Sequence, residues 1–273
     1  MTRWMSRLGM MVLAATSACA THLCEIRSTP SAPLPVAAPE QMATAQWMML
    51  LLRGPSHTCL GRAILPEPPA PGGMQPRPAP SHVFAANGAG PGEHIVWLQT
   101  HQAGDMLFGP VGVVQQNGGG FVVTAMGTLR AQAAARTELR RGSWADGQAL
   151  YVTTKRCARH KVLGRPLCHE QLQVLPQQGN AFAPSLQAPP IDLVREEATL
   201  LPGGWYRLME QKAQCDLRQR SMIVQEEIAI KEIWGRSSKM APRRRRTAQN
   251  RRTLVFKEPA GWTASEPPLW GRL

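Results

Sequence analysis

The sequence predicts a mostly β protein: an antiparallel sandwich or barrel with one short N-terminal helix and long proline-rich loops. Three observations carry this expectation. Gly and Pro number 24 each in 273 residues, a density of turn formers that divides the chain into short segments. From His94 onward the apolar residues recur in alternation or in brief runs bounded by Gly, Asn and Asp, the pattern of strands. Hydrophobic residues still form 43% of the chain and charged residues only 18%, so a packed core is available and disorder throughout is excluded. No apolar run approaches the roughly 18 residues that a spanning helix requires, which excludes a polytopic helical membrane protein.

The elements follow in order. Arg3 and Arg7 precede an apolar stretch from Leu8 to Ala18, too short to span a bilayer but suited to the h-region of a secretory signal. It ends in Thr16-Ser17-Ala18-Cys19, which resembles the lipobox of bacterial lipoprotein precursors. The resemblance implies a signal peptide over 1–18 and acylation of Cys19, so that the mature protein is held on a membrane by lipid chains and not by a helix. Ala20 in place of an Asp implies, by the same resemblance, the outer membrane where two membranes are present. Ordinary cleavage after Ala20 is the alternative, since Ala18 and Ala20 also form a small-residue site.

Residues 19–40 read as a tether, with Pro30, Pro33, Pro35 and Pro39 among small residues. Residues 41–60 contain an apolar segment, Met42 to Leu52, between Pro39 and Gly54-Pro55, which predicts a short helix packed on the body. The proline-dense stretch from Pro66 to Pro80 makes 61–93 a loop, barred from helices and from central strands. The β-rich domain is expected over 94–235, with strands at Ile95 to Thr100, Met106 to Val114, Phe121 to Arg130, Gln148 to Arg156, Gln171 to Leu175 and Trp205 to Gln211. Asn117-Gly118-Gly119-Gly120 reads as a hairpin turn. Ser143 to Gly147 reads as another turn, and Gly203-Gly204-Trp205-Tyr206 as a strand entry with an aromatic anchor. Ser221 to Trp234 follows a period of two that Glu226 interrupts; its β-rich surroundings favour a strand.

The net charge of +13 is unevenly distributed. Acids and bases balance between residues 19 and 130, and the basic surplus of the mature chain lies beyond them. Lys239, Arg243, Arg244, Arg245, Arg246, Arg251 and Arg252 form a block without an intervening acid. Residues 236–273 are therefore expected as a mobile basic loop with a C-terminal segment. Its possible partners are anionic lipid or an anionic envelope polymer, with binding that weakens as salt rises. Export argues against nucleic acid, and no aromatic lies within the block to stack bases.

Beyond Cys19, the cysteines of an exported chain should pair. Cys157 and Cys168 sit at facing ends of two expected strands, which predicts a disulfide across a hairpin. Cys59 with Cys215 is the expected second bridge, leaving Cys24 over. A metal site from Cys157, His160, Cys168 and His169 is the sharper alternative, weakened because adjacent residues on an extended chain face opposite ways. Glu196-Glu197 and Glu226-Glu227 read as solvated charge for the same reason. Nucleophile elbows, H-E-x-x-H, Walker loops and dinucleotide fingerprints do not occur. The sequence thus implies no cofactor and names no catalytic residue. It points to an exported, lipid-anchored envelope protein, facing the periplasm or cell surface, that acts by binding or structure and not by catalysis. A secreted enzyme with dispersed catalytic residues, or a soluble β-barrel ligand carrier, is the alternative.

Overall fold

A computed structural model describes Leu51 and residues 77–272, apart from 88–89, 118–119, 134, 146, 236–241 and 259. Its strands are β1 Arg77–Asn87, β2 Glu93–Ala103, β3 Met106–Asn117, β4 Gly120–Gln132, β5 Arg136–Trp144, β6 Gly147–Arg159, β7 Pro166–Gln178, β8 Ala181–Phe182, β9 Ile191–Leu201, β10 Trp205–Arg218, β11 Ser221–Trp234, β12 Arg244–Lys257 and β13 Gly261–Ala264. Most consecutive long strands pair as antiparallel hairpins, as the frequent turn signals predict, with β4 and β5 the exception; among the described residues the one parallel contact is Met126 of β4 with Ala181 of β8.

Strand β7 is where the topology divides. Along one edge it pairs with β6 over its whole length; along the other it pairs with β9 from His169 to Leu172 and with β8 at Gln177 and Gln178. Two parts of the sheet therefore diverge from it. One runs through β8 to β4, β3, β2 and β1, and the other through β9 to β10, β11, β12 and β13, with β6 and β5 on the opposite flank. The second part curls until its ends meet. Trp144 of β5 lies edge-on to Trp262 of β13 with ring centroids 5.0 Å apart, and Trp262 Nε1 donates to the Val174 carbonyl of β7 at 3.0 Å.

The faces turned inward share one core. Ile95, Trp97, Val111, Val113, Ala125 and Leu129 of the first part meet Leu139, Leu150, Val152, Leu175, Met222, Val224, Leu254 and Phe256 of the second. The first part is buried on its other face as well, where Val96, Leu98 and Val114 are fully covered. Leu51 is helical and fully buried there, and a Cβ added to Gly112 of β3 would lie 2.5 Å from its Cδ2. Of the segment expected as a short helix only Leu51 is described; the remainder of 41–60 lies outside the described residues, as do 1–18 and 19–40. Gly109 marks a register shift between β2 and β3, because a Cβ there would meet the Leu98 carbonyl oxygen at 1.6 Å.

Two segments expected as loops are strands. Residues 77–87 of the proline-rich stretch form β1, an outermost strand whose register breaks between Pro78 and His82. Proline lacks the N–H that a central strand must donate, so an edge with a break tolerates it. The expected basic loop forms β12 and β13, with a 3-10 turn at Leu269–Arg272. Arg252, Leu254 and Phe256 alternate inward, and their burial fixes the strand whose first half carries the arginines. The β-rich body consequently extends from residue 77 to 264, beyond the expected limits of 94 and 235, and includes β5 and β9, which were not foreseen.

Candidate functional site: an arginine-bearing edge strand

β12 follows β11 in continuous antiparallel register, from Glu232 opposite Arg244 to Ser221 opposite Val255. β11 keeps its period of two: Met222, Val224, Glu226, Ile228 and Glu232 are buried, with Ile230 half-buried in the same series. Glu226 does not interrupt the pattern; it continues it with a charge. Arg252, one pair along and on the same face, supplies the counter-charge: its Nε and Nη2 lie 3.1 Å from Glu226 Oε1, and the side chains are 7% and 1% exposed. The second carboxylate oxygen accepts from the Leu269 N–H at 3.1 Å and from Asn250 Nδ2 at 3.4 Å. The pair thus ties the C-terminal turn to the sheet interior.

The seven basic residues expected to meet an anionic partner separate into four groups. Lys239 lies outside the described residues. Arg252 is buried against Glu226 and is unavailable to a partner, a correction to the expectation. Arg243 and Arg244 are engaged by Glu232: Arg243 Nη2 is 2.7 Å and Arg244 Nε 3.9 Å from Glu232 Oε2, and the Arg243 guanidinium also lies 4.7 Å over the Trp205 ring. Hydrogen bonding by Arg243, opposed by burial, holds the Glu232 carboxyl below its ordinary range. Arg245, Arg246 and Arg251 remain, all exposed and without an ion-pair partner among the described residues. Beside Arg251, a shallow groove lined by Lys212, Gln214, Gln225, Glu227 and Gln249 adds amides, with Lys212 opposite Glu227 in the β10–β11 register.

On the opposite flank of β10, Glu196 and Glu210 face each other across the β9–β10 ladder. Like charges in that position repel. Arg165, from the β6–β7 turn, places Nη2 on Glu196 Oε1 and Nη1 on Glu210 Oε1, and Lys231 takes the other Glu210 oxygen. Glu196 Oε2 accepts from the Cys168 N–H at 2.8 Å, so this glutamate is structural and not simply solvated. Burial pushes the Glu210 carboxyl up, but the bonds from Lys231 and Arg165 prevail and hold it below its ordinary value. Asp192 is likewise lowered: burial raises it, and bonds from His169 and Gln171, both at 2.7 Å, outweigh that.

Cys157 and Cys168 are opposed in the β6–β7 register and form the expected disulfide. Their sulfurs are thereby consumed, so the alternative of a metal held by these two thiolates with His160 and His169 does not apply; His169 bonds Asp192, and His160 Nδ1 accepts from the Leu163 N–H. Cys215 is a free thiol, so the expected bridge to Cys59 is not formed; Cys59 itself lies outside the described residues. Cys215 packs against the core beside the buried ion pair, and burial raises its thiol to about 11, with Arg252 opposing and Glu226 adding to the shift.

At one end of the interior the two parts of the sheet leave a cavity of about 470 Å³ lined by Trp97, Leu107 and Thr137, with Arg136 and Glu138 at its solvent-exposed rim. A smaller one of about 250 Å³ adjoins it across Gln132. Neither gathers a set of acid, base and nucleophile, and no group of three or more His, Cys, Asp or Glu among the described residues is placed to hold a metal.

Compared with protein-family models, curated proteins and solved structures, the chain gives no match. Its function therefore has to be read from its own residues. The ion pair that shapes the arginine strand was missed by sequence reasoning, although the signal was present. A glutamate at an inward position of one period-two strand, and an arginine two residues before Leu254 in the next, are the complementary defects of a paired ladder.

Proposed function

We propose that this chain is an exported, lipid-anchored envelope protein that acts by binding, and that the exposed arginines of β12 contact a polyanionic partner. One observation carries the binding surface: glutamates of β11 engage Arg243, Arg244 and Arg252 but leave Arg245, Arg246 and Arg251 in solvent on a strand paired with β11. Arginines on a paired strand lose less backbone freedom on binding than those of a loose tail, and each fork matches a carboxylate or phosphate. The anchor rests on Arg3, Arg7, the apolar stretch to Ala18 and the lipobox-like approach to Cys19. Two acyl chains hold a protein stably on a membrane, at about 0.8 kcal/mol per buried methylene.

Expression in a bacterium with lipoprotein processing, followed by membrane fractionation and mass analysis of the N-terminal peptide, tests the anchor. Wild type should sediment with membranes and carry acyl mass on Cys19, and Cys19→Ser should be released. Equal sedimentation of the variant, or a wild-type peptide without acyl mass, overturns the lipid anchor. For the surface, binding to polyphosphate or to phosphatidylglycerol vesicles should fall steeply between 0.1 and 1 M salt, as the screening length shrinks from about 10 to about 3 Å. It should be lost in Arg245→Gln/Arg246→Gln/Arg251→Gln; undiminished binding by that variant removes the arginine strand from the function.

A further inference from the structure

The backbone of β12 has an open edge beside its arginines. Thr253 donates its N–H to Ser265 Oγ at 3.1 Å and accepts the Ser265 N–H at 2.8 Å, while the Val255 carbonyl accepts from Thr263 Oγ1. The N–H and C=O groups of these odd-numbered residues point away from β11. Backbone groups alternate sides along a strand, so Arg245, Thr247, Gln249 and Arg251 present theirs to the same edge. β13 covers that edge only from Leu254 to Lys257, and among the described residues no strand pairs with it from Arg245 to Arg251. All four of those residues are exposed. An open edge of this length invites strand addition. Arginine side chains repel a second copy of this chain laid along it, and they favour an acidic one.

Resting on the binding surface proposed above, we propose that this edge accepts an extended acidic segment of a partner protein as an additional antiparallel strand. Main-chain bonds to Arg245, Thr247, Gln249 and Arg251 would supply the general affinity and the arginines the selectivity. Geometry defines the register. Arg245 and Arg251 project to one face and Arg246 to the other, so an antiparallel partner needs acids opposite each. Read from its N-terminus, the partner has one acid, four intervening residues and then two adjacent acids. The six residue steps from Arg245 to Arg251 span roughly 20 Å at about 3.4 Å each. Thr247 and Gln249, on the face of Arg245 and Arg251, suit hydroxyl or amide side chains between the acids. A phosphate-bearing polymer or lipid surface would satisfy the guanidinium groups but leave the edge N–H groups in water.

The test uses the full chain and the peptide Glu-Val-Thr-Val-Thr-Glu-Glu, extended by one glycine at each end. Two controls accompany it: the same peptide N-methylated on the backbone groups facing β12, and polyphosphate. Residue-resolved amide hydrogen exchange is the readout. Peptide binding should slow exchange at Arg245, Thr247, Gln249 and Arg251 at least tenfold while leaving Arg246, Ala248, Asn250 and Arg252, already bonded to β11, unchanged. N-methylation should weaken binding at least tenfold, and Arg245→Gln/Arg251→Gln, with circular dichroism as wild type, should do the same. Equal binding of the methylated peptide, or unchanged exchange at the four odd-numbered amides, overturns strand addition. Polyphosphate binding that persists in that case leaves the anionic surface standing. Failure of peptide and polyphosphate alike overturns both readings.

Discussion

Replacing Arg252 with Met removes one partner of the most deeply buried ion pair among the described residues and leaves Glu226, 1% exposed, with Asn250 Nδ2 and the Leu269 N–H as its donors there. An isolated buried carboxylate costs far more than a paired one, and breaking such a pair from one side typically destabilises by about 3–5 kcal/mol. With a urea dependence of about 2 kcal/mol per molar, a loss of about 4 kcal/mol displaces the unfolding midpoint by about 2 M. The double variant Glu226→Met/Arg252→Met removes both charges and replaces them with flexible apolar side chains that fill the same space. Part of the loss should return. What remains is the Leu269 N–H, deprived of its acceptor, at about 1–3 kcal/mol. Urea unfolding followed by tryptophan fluorescence measures all three proteins, and exchange at the Leu269 amide should be fastest in the double variant. A shift below about 0.5 M for the single variant, or no recovery in the double, would refute the reasoning that this pair is a desolvated unit.

The acid stability of the protein should follow Glu210 and Asp192, whose carboxyls are held below their ordinary values of 4.5 and 3.8. A depressed carboxyl stabilises the fold above its unfolded value and loses that contribution as pH falls through its folded value; the melting temperature should therefore hold from pH 7 to about 5 and decline below about 4. Glu210→Gln should make that decline shallower, and an unchanged slope would remove Glu210 from the account. Arg165→Ala leaves Glu196 opposite Glu210 without the guanidinium between them; a loss of about 1 kcal/mol is expected, since Arg165 is partly solvated, and calorimetry showing none would mean that Lys231 suffices. Cys215, with its thiol raised to about 11, should resist alkylation at pH 8 in the native protein and react in urea. Fast native labelling of its peptide would contradict its burial.

The β class, the main hairpins and the Cys157–Cys168 bridge were legible because each depends on residues close in sequence. Asn117 lies opposite Gly120 across a Gly-rich turn, and the two cysteines face each other across a short hairpin. The arginine block was legible as charge but not as structure. Repulsion among Arg243 to Arg246 argued for a mobile loop, and the approach of Glu232 and Glu226 depends on the register of the preceding strand, of which only the inward glutamate and arginine gave a sign. The same holds for Cys215, which sequence arithmetic paired with Cys59 and the fold keeps as a free thiol.

By itself, the sequence determined what its local chemistry compels: turn formers that set strand lengths and alternation that turns one face inward. Only the tertiary structure decided which charges face each other, because strand register and the division of the sheet at β7 bring residues together that lie far apart in the chain. The electrostatic environment of an arginine depends on those distances. Arg252 became part of the core and Arg251, its neighbour, part of the surface, because successive side chains on a strand point to opposite faces and only one of those faces is covered.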